Sequence, residues 1–149
     1  MHLKGIWAVP IIASILIIGT IGLIPQSYAG VNPCYIVQNI DSQLSSANHK
    51  LQILANNPAD TQPATLNTIN IKLGQLTDRM DKVDPAQSDD LQNLAADLGH
   101  LISTAEITQT IAVEFPNPNK DKAVAEQLGL IGANAQELID KTNEILIGL

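Results

Sequence analysis

Beyond residue 32, apolar side chains recur at alternating spacings of three and four. The first run is Val37, Ile40, Leu44, Ala47, Leu51 and Leu54, and the second is Leu66, Ile69, Leu73, Leu76, Met80 and Val83. The third is Leu91, Leu94, Leu98, Leu101, Ala105, Thr108, Ala112 and Phe115, and the fourth is Val124, Leu128, Ile131, Ala135, Leu138, Thr142, Ile145 and Leu149. Such spacing lays one continuous stripe along each of four helices, and none of the 28 stripe positions is charged. No segment alternates with the period of two that a half-buried strand requires.

Helix breakers fall between the runs. Asn32-Pro33 suits the cap and first turn of a helix, and "NNPADTQPAT", "DPAQSDD" and "FPNPN" separate the four runs. Asp84 and Ser88 are candidate caps for the third helix, and Asp89 and Asp90 suit the positive end of its dipole. The pattern predicts helices over about 33–56, 62–83, 86–115 and 119–148 within a domain spanning 30–149. Short connections predict antiparallel neighbours, hence an all-α, up-down-up-down four-helix bundle. In that arrangement the start of the first helix, the turn between the second and third, and the C-terminus share one end. Cys34, Asp78, Asp81, Asp84, Asp89 and Asp90 would gather there.

The first 29 residues read differently. "MHLKG" supplies a single Lys4, residues 6–24 carry no charge, and Pro25 and "SYA" follow before Gly30. A short basic start, an apolar run, a breaker and a small-x-small site predict an N-terminal export helix, a signal peptide cut between Ala29 and Gly30. The apolar run is also close to the ~20 residues that span a bilayer, so a retained anchor is the rival reading. In either case Lys4 stays inside and the bundle lies outside, on the extracellular or periplasmic face. Lys4-Gly5 followed directly by an apolar helix resembles the leader of type IV pilins, a likeness covering residues 4–24. It implies cleavage after Gly5 and a filament subunit. Bacterial pilins place Glu at the fifth mature position, where this chain has Pro10.

Charge then narrows the partners. Eight Lys and Arg stand against 15 Asp and Glu, a net −7, and removal of Lys4 with the leader takes it to −8. Such a surface repels phosphate backbones and anionic lipid head groups, so nucleic acid is excluded as a partner. Only Tyr35 and Phe115 supply aromatic surface beyond Ala29, too little for base or sugar stacking.

Candidate chemistry is sparse. His49 and His100 fall two positions off core leucines and face outward, and no Glu-x-x-His pair or C-x-x-C-H motif occurs. Met80 reads as core. Asp81, Asp84, Asp89 and Asp90 are weak metal candidates that lack the D-x-D-x-D-G calcium loop, and a helix-capping role fits them better. Neither exported His has an inward position, no Gly-rich phosphate loop appears and the candidate groups fall on scattered outer faces, so no enzyme activity and no cofactor is expected. Cys34, the sole cysteine, reads either as a small buried hydrophobe or as an intermolecular disulfide partner. Ile107, Ile111 and Leu130 lie off the main stripes and serve either as extra core or as a contact flank. "LGQL", "LGHL" and "LGLI" each place a mid-helix Gly after a core Leu. This is a duplication or chance repeat, or else a close approach of another backbone. The expectation is a non-catalytic exported bundle acting by contact with a protein partner or its own copies. A specific form is an accessory subunit on the outer face of a membrane-embedded enzyme complex. Residues 6–24 would add a membrane attachment if the leader is kept. The alternatives are a small-molecule or metal-binding bundle and a pilin-like filament subunit.

Overall fold

The computed structural model describes residues 32–116 and 121–149. The expected export helix, with its predicted cut between Ala29 and Gly30, lies outside the described residues. Among the described residues four α-helices build the fold: α1 (Pro33–Asn56), α2 (Pro63–Met80), α3 (Leu91–Val113) and α4 (Lys122–Gly148). No strand occurs among the described residues, and none of their helices is long and apolar enough to cross a membrane.

Local chemistry sets the helix starts. The Asn32 side chain accepts a hydrogen bond from the Cys34 amide at 2.8 Å, and Pro33 occupies the first helical position. Its missing N–H costs nothing there. Asp121 caps α4 through the Ala123 amide at 2.8 Å. The third helix starts five residues later than its apolar pattern suggests. Asp84 caps only a single 3-10 turn, Pro85–Gln87, through the Ala86 amide at 3.0 Å. Asp90 is the cap of α3, accepting from the Asn93 amide at 3.1 Å. The second helix stops at Met80, three residues short of the expected end, and Val83 is buried by the turn that follows.

The stripes form one core. Of the 28 stripe positions, 25 are buried; Leu54 is half-buried, and Leu91 and Leu149 are exposed at helix ends. Threonine enters this core because its hydroxyl is satisfied within its own helix. Thr77, Thr104, Thr108 and Thr142 each donate to the carbonyl four residues earlier, at 2.7–3.0 Å. A buried hydroxyl without such a partner would carry a desolvation cost.

The helices pair selectively. α3 packs most extensively on α4, then α1 on α3 and α2 on α4, while α1 touches α2 lightly. Consecutive helices α2 and α3 are not a packed pair. Contacts advance together along α1 and α3, from Cys34 beside Ser88 to Asp41 beside His100 and Thr104. They also advance together along α2 and α4, from Asn70 beside Gln127 to Asp81 beside Lys141.

Candidate functional site

Polar chemistry concentrates in the two seams where these helices meet. In the α1–α3 seam, His100 Nε2 lies 2.9 Å from Asp41 Oδ2, and the Thr104 hydroxyl shares its one proton between the His100 carbonyl and Asp41 Oδ1, 3.2 Å away. The Asp41 side chain is only 17% exposed, whereas His100 is 66% exposed. Nearby, Asp97 Oδ2 and Asn48 Oδ1 are buried with no hydrogen-bond partner in the protein. Burial raises the Asp97 carboxyl above the ordinary carboxylate range. The Asp41 charge pushes the same way, while the Gln38 side chain and His100 oppose it. In the α2–α4 seam, Asn70 Nδ2 donates to the Gln127 carbonyl at 3.0 Å and to Gln127 Oε1 at 2.7 Å. Asn134 Nδ2 closes the network by donating to Asn70 Oδ1 at 3.0 Å.

The Asp41–His100 pair resembles the base-and-orienter half of a nucleophilic site in its residue types alone. A nucleophile would have to sit within hydrogen-bond reach of the imidazole. His100 pairs with Asp41, and the chain's thiol, Cys34, lies at the seam's end beside Ser88. What this geometry does is tie α1 to α3. Asp97→Asn tests that reading. An amide removes a half-buried charge that desolvation and the nearby Asp41 charge disfavour, so the variant is expected to gain up to about 1 kcal/mol at neutral pH. The sign follows from the raised pKa. A folded state that holds the proton more tightly gains stability at low pH and loses it as pH rises through the folded value. The advantage of the variant should therefore shrink on acidification, as read by urea unfolding across that range. An advantage that grows as pH falls would refute the assignment.

The acidic end is built for structure. Asp81 pairs with Lys141 at 2.9 Å, and this hydrogen bond holds the lysine amine above its ordinary range against the opposing effect of burial. Asp84 and Asp90 are helix caps, and Asp89 is exposed. The four weak metal candidates therefore do not converge. No group of three His, Cys, Asp or Glu side chains placed to hold a metal ion occurs among the described residues. Cys34 is buried, its Sγ 3.5 Å from Ser88 Oγ and 3.6 Å from the Asp90 carbonyl. A disulfide to another chain requires opening the first turn of α1, because the thiol packs inward.

The three off-stripe candidates separate. Ile107 and Ile111 continue the row of Asp97, His100 and Thr104 that faces α1, and Ile111 is half-buried against the core. Leu130 lies between Gln127 and Asn134 on the row of α4 that faces α2. They form no common flank. The surface feature that pattern reading misses is an open groove of about 450 Å³ between α3 and α4, lined by Val113, Ala125, Gly129, Gly132 and Ala133, with Gln109 and Gln136 across it. Its sequence signal is the spacing of four that puts Ala125, Gly129 and Ala133 on one face of α4. A second cavity, of about 390 Å³, lies beside it where α3 ends and α4 begins, between Pro58, Thr61, Phe115 and Val124. Its lining carboxylate, Asp121, is engaged as the cap of α4. Comparison of the chain with known families, with curated proteins and with solved structures finds no match.

Proposed function

We propose that the chain is an exported, non-catalytic, up-down-up-down helical bundle that works by protein–protein contact. Its role is that of an accessory subunit on the outer face of a membrane-embedded enzyme complex. One observation carries this reading. Among the described residues, polar side chains in both seams and at the helix starts hold helices together or cap them, while large apolar side chains stay on the surface. Asp41, His100, Asn70, Asp81, Asp84 and Asp90 are all so engaged. Val113 is 74% exposed, Tyr35 63%, Ile147 60% and Ile71 54%. Apolar surface spread over several helix faces is available to a partner. The acidic charge favours a basic partner over nucleic acid or anionic lipid.

Gentle detergent extraction of native membranes, followed by identification of co-purifying chains, tests the proposal. Recovery in a stable complex with integral membrane subunits is expected. A lone monomer in the soluble fraction defeats it. Sequencing the N-terminus of the recovered chain separates the leader readings. A start at Gly30 means cleavage, Met1 means a retained anchor, and Ile6 means the filament form.

A further inference from the structure

We propose that the α3–α4 groove is the docking site for one amphipathic helix of a partner protein, its apolar stripe flanked by Lys and Arg. The proposal rests on the contact reading above and assigns it a face and a partner chemistry.

Shape supplies the first argument. The groove is open, and its α4 wall is small: Ala125, Gly129, Gly132 and Ala133. A Cβ built at Gly129 or Gly132 would meet nothing within 4 Å, so no close approach inside this chain calls for glycine there. Each of these glycines weakens α4 relative to alanine. Removing Cβ atoms from one helix face lets the backbone of another helix approach closely, the arrangement that small residues four apart permit. Exposed Val113 on the α3 wall offers an apolar contact along the same line.

Charge selects the occupant. Glu106 lies one turn before Gln109 on α3, Glu126 adjoins Ala125, and Asp140 lies one turn beyond Gln136, whose amide it accepts at 3.0 Å. All three carboxylates are exposed, and the ion pairs found among the described residues, Asp41–His100 and Asp81–Lys141, include none of them. On α4 the neighbouring base is Lys122, because Lys141 is turned to Asp81 of α2. The groove is thus an uncharged trough with a mostly acidic rim. A second copy of this chain would bring the same carboxylates onto the same face. The chain's own apolar stretch, residues 6–24, has no charge with which to answer them. A helix with basic flanks satisfies both trough and rim, with the charges contributing mainly to specificity and to the rate of association.

Site-specific photo-crosslinking in the full chain, in its native membranes, tests the assignment. A photoreactive residue is placed at Val113 or Ala133 in the groove, and at Ile71 or Ile107 on other faces. The expected result is crosslinking from the two groove positions to one segment of a partner, with heptad-spaced apolar residues and flanking Lys or Arg. Neutralising Glu106, Glu126 and Asp140 together to Gln should weaken that association about ten-fold, and added salt should narrow the difference. Gly129→Leu should abolish it while leaving the helical circular dichroism unchanged, and Gly129→Ala serves as the folded control. Groove crosslinks to a second copy, to residues 6–24 or to a segment without basic flanks overturn this proposal and leave the contact reading intact. Crosslinks confined to Ile71 or Ile107 do the same. Absence of crosslinks from every position defeats both.

Discussion

Leu98→Ala is expected to lower the unfolding free energy by about 2–5 kcal/mol, while Leu91→Ala, on the same stripe of the same helix, should cost under about 0.5 kcal/mol. Both leucines fit the three-and-four spacing equally well. Leu98 is fully buried in α3, the helix that packs on both α1 and α4, so removing its Cγ and two methyl groups leaves a cavity that two neighbours would have to close. Leu91 stands at the first helical position after the Asp90 cap and is 49% exposed, so its truncation leaves no enclosed void. For a domain of this size the Leu98 loss corresponds to a fall in Tm of roughly 10 °C or more. Thermal unfolding of the two variants side by side is the measurement. Equal losses would mean that Leu91 is covered, by another chain or by a different packing of α3.

That contrast marks what sequence can and cannot reveal here. The stripes are legible because burial on one face of a helix forces the apolar period, and Val37, Leu66, Leu98 and Ile131 are all fully or almost fully enclosed. Helix ends are less legible because they depend on which of several capping residues wins. Asp84, Ser88, Asp89 and Asp90 all qualify by type, and Asp90 takes α3 because Asp84 and Ser88 are used in the turn before it.

The choice of helix neighbours is hidden for another reason. The contacts that fix it join residues far apart in sequence, such as Asn70 with Gln127 and Asp41 with Thr104, and no local pattern links them. His100 reads correctly as an outward residue, yet its pairing with Asp41 is invisible until α1 and α3 are side by side. The groove is hidden too, because its two walls come from different helices and its most telling residues are the smallest ones.

Asn70→Asp should be the most damaging isosteric change in the chain, costing about 3 kcal/mol at neutral pH. Asn70 is only 7% exposed, and its Nδ2 serves two acceptors, the Gln127 carbonyl and Gln127 Oε1. A carboxylate keeps the shape but replaces that donor with a charged acceptor. Gln127 can turn its amide to donate to it, and Asn134 already donates at this position, but the Gln127 backbone carbonyl cannot change its role. One acceptor is then left facing a buried negative charge. Protonation reverses this, because a carboxylic acid offers an O–H to the carbonyl. Burial and the facing carbonyl both raise the folded pKa of the introduced group above its unfolded value. The variant should therefore regain stability as pH falls through that raised pKa, approaching the parent chain in mild acid. Asn70→Leu removes the donor without adding charge, leaves Gln127 Oε1 and Asn134 to find other partners, and should show no such recovery. Urea unfolding of the three proteins at several pH values separates the cases. A flat pH profile for Asn70→Asp would mean that water reaches the α2–α4 seam, and that the network is not what holds these two helices in register.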